Sequence, residues 1–143
     1  MSIGVRVSIN LEKAAAEASA KAARAVFATA NGRFQDALGL KVWEWDGETV
    51  RSNGRKVGSP RTIIDSGLLR ASNSFSVRDG IGFFRWSVNY AGAIHEGAIL
   101  RNGGVIAARP WTDAVLGVTN YPGVPVYDYK SDLKTNWIKH FLK

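Results

Sequence analysis

The chain has 143 residues, 45% of them hydrophobic, which suits one domain with a packed core and is short for two. It has no cysteine, so disulfides, thiolate metal sites and a cysteine nucleophile are excluded. No uncharged apolar run approaches the roughly 18 residues of a membrane-spanning helix. The net charge of +7 is unevenly spread. Residues 1–50 balance to zero, residues 51–70 carry +4 and residues 71–143 carry +3. A basic excess centred on a Gly/Ser/Asn-rich stretch fits a loop near a polyanion or acidic partner, or equally a loop that only maintains solubility.

The opening stretch MSIGVRVSINLEKAAA lacks the basic region and apolar core of a signal peptide, and the expected place of synthesis is a cytoplasm. Ile3 to Ile9 alternates apolar and polar residues and predicts a short strand. Asn10 is placed to cap a helix that carries Glu12 and Glu17 near its positive end. Leu11, Ala15, Ala18, Ala22, Val26 and Ala30 recur at helical spacing, and Phe34, Ala37 and Leu38 continue the stripe. The helix is therefore expected to reach about Leu38, with Gly39 as its C-terminal cap. A stripe made mostly of alanine lets that helix lie very close to whatever it covers.

Val42 to Trp45 reads as a short strand or extended arm, and Asp46 to Ser59 as a long loop or flexible hairpin. Ser72–Val77 and Ile81–Val88 flank Arg78-Asp79-Gly80 and predict a β-hairpin. Large side chains fall on both of its faces, so cover is expected on both sides, by the long helix and by a neighbouring subunit. Tyr90 to Glu96 is expected to be a short helix closed by Gly97, and Ile99–Ile106 a second hairpin about Gly103-Gly104. Pro110 suits the first residue of a helix through Leu116. Ser131 is expected to cap a last helix, about residues 131–142, whose apolar face is Leu133, Trp137, Ile138 and Phe141. Trp86 and Trp137 are expected in the core. Trp43 and Trp45 border the polar stretch, where aromatics anchor interfaces or stack on unpaired bases.

Catalysis finds little support. Asp65-Ser66-Gly67 lacks the Gly-x-Ser-x-Gly frame of a nucleophile elbow, and Asp65 and Ser66 read as helix caps or turn formers. His95 and His140 are the only histidines and make no zinc-site spacing. Gly80-Ile81-Gly82 lies inside the hairpin and forms no phosphate loop. No catalytic, metal-binding or cofactor-binding set is therefore expected.

Three segments occur in order: SPRTIIDSGLLRAS (59–72), VNYAGAIHEGA (88–98) and AARPWTDAVL (107–116). Preceded by a long alanine-rich helix, they resemble the phage tail-completion or head–tail joining proteins, the minor tail protein Z-like group. The matching residues are Asp65, Ser66, Gly67, Leu69 and Ser72, then Tyr90, Ala91, Glu96 and Gly97, then Ala108, Arg109, Pro110 and Trp111. The middle motif departs by one residue of spacing. The resemblance runs from about Leu11 to Leu116; the Trp43–Pro60 insert and the last helix are less general. It implies an α+β fold, with the long helix on an antiparallel sheet and short C-terminal helices, as one head–tail joining domain over 1–143. It implies a non-enzymatic virion protein, made in the host cytoplasm, in a homo-oligomeric ring that is sixfold by analogy with tail tubes. Its partners would be copies of itself, neck and tail-tube proteins and, non-specifically, genomic DNA, with no membrane. Arg109 and Glu96 are candidates for an ion pair joining the motif segments, and Gly67 and Gly97 for positive φ. The alternative reading is a small basic nucleic-acid-binding domain.

The basic insert, about residues 46–61, carries Arg51, Arg55, Lys56 and Arg61 but few apolar residues to offset the entropy of ordering. Under the ring reading it acts as a clasp between subunits, with Trp43 and Trp45 at its base. Replacing Arg51, Arg55 and Lys56 with Glu should leave the melting temperature of the isolated chain nearly unchanged. The same change should yield DNA-filled heads and separate tails; normal infectious particles would reduce the insert to a solubilising loop.

Overall fold

The computed structural model describes residues 4–44, 67–99, 101 and 103–142, together with the backbone of strands at 49–50 and 56–57. The fold is α+β, with one long helix, α1 (Leu11–Ala37), packed on a small antiparallel sheet and flanked by short C-terminal helices. The Asn10 side chain accepts from the Lys13 amide at 2.9 Å and so caps α1 as its spacing predicts. Ala18, Ala22, Val26, Ala30, Phe34 and Ala37 are its buried face. Leu11 and Ala15, at the head of the same stripe, lie beyond most of that cover. The helix ends at Ala37 with Leu38 as a right-handed cap, so Gly39 does not close it.

After α1, residues Lys41–Trp43 form a single 3-10 turn rather than a strand or arm. Strands β1 (Thr49–Val50) and β2 (Lys56–Val57) pair antiparallel, which is the hairpin alternative for the insert. Helix α2 (Leu68–Ala71) begins at Gly67, whose φ is 77°. The main hairpin pairs β3 (Asn73–Arg78) with β4 (Ile81–Trp86), in register from Asn73↔Trp86 to Arg78↔Ile81. Asp79 and Gly80 turn it with φ of 52° and 75°, the positive pair that a type I′ turn requires. One hairpin face meets α1. Phe34 packs edge-on against Phe84, with centroids 5.1 Å apart, and against Trp86 at 6.0 Å. The other face, with Ile81 and Phe83, is exposed among the described residues.

Helix α3 (Ala91–Glu96), the short ladder β5 (Ala98–Ile99) with β6 (Val105–Ile106), and helix α4 (Trp111–Leu116) follow. Pro110 is the residue before α4 rather than its first turn. The last helix, α5 (Tyr129–Phe141), starts two residues before the expected cap. Asp128 does the capping, by accepting from the Ser131 amide at 3.1 Å. A short acidic side chain before the first turn both satisfies that donor and suits the helix dipole. Helix α5 lies antiparallel along α1, with the Trp137 indole donating to Ser19 Oγ at 3.1 Å and the Arg33 guanidinium over the Tyr127 ring. Its expected apolar face divides. Trp137 and Phe141 stack on each other, while Leu133 and Ile138 are exposed.

Of the expected Ile3–Ile9 strand, Ile3 lies outside the described residues and the rest is not a strand. Residues 4–10 belong to no helix or strand, and Val5, Val7 and Ile9 are 87%, 78% and 77% exposed. Alternation makes a strand only where another strand offers its edge, and none of the ladders includes this segment. Among the described residues, no helix is long and apolar enough to cross a membrane.

Tyr127 ties α5 to the core: its amide donates to Val115 O at 2.7 Å and its hydroxyl to Asp132. Burial, aided by the hydrogen bond to Asp132 and that carboxylate's charge, pushes the phenol up to about 12. In the unfolded chain it titrates near 10, so between about pH 10 and 12 the unfolded state loses a proton that the folded state keeps. This contribution is constant below about pH 10 and falls as pH rises through that window. Urea midpoints measured from pH 8 to 12 should fall less steeply for Tyr127→Phe than for the parent chain.

Candidate functional site: the motif junction around Arg109

Helix α3 ends where Gly97 takes φ 83° and ψ 164°, a region open almost only to glycine. The turn sends the chain out through the β5–β6 ladder and brings Ala107–Pro110 back against the helix it left. There the Arg109 amide donates to Ile94 O at 2.9 Å. The fit is tight: a Cβ on Gly97 would stand 2.9 Å from Ile106 O and 3.1 Å from the Ala108 nitrogen. The second and third motif segments are therefore joined through backbone.

Arg109 is buried, with 7% of its surface exposed. Its Nε donates to Trp43 O at 3.2 Å and its Nη1 to Ala107 O at 3.1 Å. A guanidinium taken from water keeps its charge, so carbonyl partners must replace lost hydration. Arg109 thus links the turn after α1 to the motif segment, and Glu96, exposed at the end of α3, is not its partner. The expected Arg109–Glu96 pair is replaced by hydrogen bonds to main-chain oxygens, because the guanidinium points inward and the carboxylate faces water.

Trp43 is 1% exposed, so it is a core residue and not an exposed interface anchor. Its indole donates to Ala37 O at 2.7 Å, satisfying a carbonyl at the end of α1, and its ring lies 4.6 Å from that of Tyr121. The turn at Lys41–Trp43 folds the side chain under the helix end instead of outward. Trp111, 2% exposed, meets Trp86 edge-on at 5.3 Å and His95 at 4.9 Å. Its Nε1 is buried with no hydrogen-bond partner among the described residues. The His95 ring hydrogen-bonds Thr112 Oγ1 across 2.7 Å. Trp86 donates to Gln35 Oε1 at 2.9 Å, which ties this aromatic chain back to α1. An open cleft of about 370 Å³ lies above it, lined by Phe84, Trp86, Gly92, His95, Glu96 and Thr112 among others.

The first motif joins the same assembly less directly. Leu69 is buried in the core cluster that also holds Trp43, Ala91 and Trp111. The Ser72 hydroxyl donates to Leu69 O at 2.8 Å, and the Ser72 carbonyl accepts from the Ser87 amide at the base of the hairpin. Tyr90 precedes α3 and is exposed. Trp45, Arg51, Arg55, Arg61, Asp65 and Ser66, and the side chain of Lys56, lie outside the described residues. Thr112 and Gln35 were not singled out from the sequence. Thr112 directly follows the Arg-Pro-Trp motif, whereas nothing local marks Gln35.

Comparison with protein-family models, with curated proteins and with solved structures gave no match.

The junction makes a quantitative test available. Gly97→Ala should lower stability by at least about 2 kcal/mol in urea denaturation, since backbone strain of about 1–3 kcal/mol adds to the close contact. Gly103→Ala, also at φ 83° but with open space around it, should cost less. Equal losses would mean that the Gly97 contact contributes nothing.

Proposed function

We propose that this chain is a structural subunit of a tailed-phage virion, working in a homo-oligomeric ring at the neck or head-proximal end of the tail to join head and tail. The observation that carries this reading is the meeting of two ordered motif segments, 90–97 and 108–111, through the Arg109 amide and the glycine-tight turn at Gly97. Residues that match a family pattern far apart in the chain serve here one compact junction, with Arg109 and Trp111 buried inside it. A rigid junction suits a subunit that must hold its shape while neighbours bear on it. The open face of the hairpin and the exposed apolar side chains of α5 leave surface for such neighbours. In this reading the positive charge steers docking, or faces the genome, more than it tightens binding.

The test is assembly in a host where the chain's gene is inactivated. DNA-filled heads and separate tails should accumulate, and adding the purified chain should restore joined particles. Normal particles without it would overturn the reading. Tight, base-dependent DNA binding that survives physiological salt would favour the nucleic-acid-binding alternative, since only weak, steeply salt-sensitive binding fits a ring near DNA.

A further inference from the structure

The segment Gly4–Asn10 is the least explained part of the described chain. Val5, Val7 and Ile9 alternate with Arg6, Ser8 and Asn10, so in extended form every apolar side chain falls on one face. All three are more than three-quarters exposed, and they leave directly from a capped helix. Seven residues at about 3.3 Å each reach about 23 Å, enough to run alongside a six-residue strand.

Among the described residues, the main hairpin has an edge with no strand beside it. The two-residue turn makes Arg78↔Ile81 a hydrogen-bonded pair, and alternation then gives Ser76↔Phe83 and Ser74↔Arg85 the same status. The backbone groups of Gly82 and Phe84 therefore point away from β3. Among the described residues they meet no backbone partner, and the sheet ends at β4. On the face turned from α1, β4 displays Ile81 and Phe83, 57% and 44% exposed. β3 offers only Ser74, Ser76 and Arg78 on that face, so the apolar match lies with β4.

We infer that residues 4–10 form a strand-donating arm that pairs with the β4 edge of a second copy of this chain, laying Val5, Val7 and Ile9 beside Ile81 and Phe83. Among the described residues the arm has no strand partner, and a second copy supplies an edge and an apolar face together. Main-chain pairing supplies the attraction and the alternate side chains set the register. Each copy then gives one arm and receives one, which closes either a pair or a ring. The biological setting rests on the ring reading above, whereas the pairing is testable without it.

Because the chain has no cysteine, Val7→Cys and Phe83→Cys can each be made as a single-thiol variant. Mixed and oxidised, they should give a disulfide-linked heterodimer, whereas Val7→Cys mixed with Ile99→Cys, a more exposed site outside β4, should not. Val7→Asp should weaken self-association at least tenfold by sedimentation, with unchanged circular dichroism and melting temperature. Proline at Val7 and at Ser8 should differ in effect, since only alternate amides face the partner strand. Self-association undiminished by Val7→Asp would overturn the arm while leaving the ring reading intact. A chain with both thiols that closes the bond as a monomer would overturn the second copy as occupant. A chain monomeric at every concentration would also overturn the arm, and the particle assay would judge the ring reading separately.

Discussion

The close approach that alanine permits along one face of α1 sets where everything else can sit. Ala18 and Ala22 lie buried on the half of the helix that faces α5, and Ala30, Phe34 and Ala37 on the half that meets the hairpin and α4. Two helices with small residues between them pack near the short end of the usual 8–10 Å separation. The bulky side chains then come from the opposing elements: Trp137 from α5, Phe84 and Trp86 from β4. Phe34 is the large fully buried residue on that face, and with Phe27 it packs against the hairpin. A larger side chain at Ala22, which is fully buried, would separate α1 from α5 along its length.

The second organising element is polar. Arg109 takes a charge into the core and gives two of its hydrogen bonds to main-chain carbonyls, one from the turn after α1 and one from its own segment. The bond to Trp43 O is buried, where a lost donor costs about 1–3 kcal/mol. The indole of Trp111, next in line, is the counterexample, a buried donor with no acceptor among the described residues.

These two features divide the molecule into a fixed body and projecting parts. The body is held by α1, the hairpin, α4 and the junction. What projects is less committed to its own chain: the segment before α1, the outward face of β4, and Leu133 and Ile138 on α5. Apolar side chains left in water in this way are single and normal on most proteins. Here three of them, Val5, Val7 and Ile9, alternate along one segment and would share one face if it were extended.

Signals that act within a few residues could be read from the sequence alone. Asn10 caps α1 and the alanine period marks its buried face; Asp79-Gly80 turns the hairpin; Gly97 takes the positive φ that ends α3. The α+β class follows from these. What depends on distant partners could not be read. Trp43 lies beside a polar stretch in sequence, yet the turn at Lys41–Trp43 folds it under α1, because the carbonyl of Ala37 and the ring of Tyr121 wait there. Arg109 met carbonyls rather than Glu96, because its side chain points into the core. The Val5–Val7–Ile9 alternation is a strand pattern without a strand, since backbone pairing needs an edge and none of the described ladders takes in this segment. Local chemistry determined the elements; which face each buries, and against what, was decided only when the elements met.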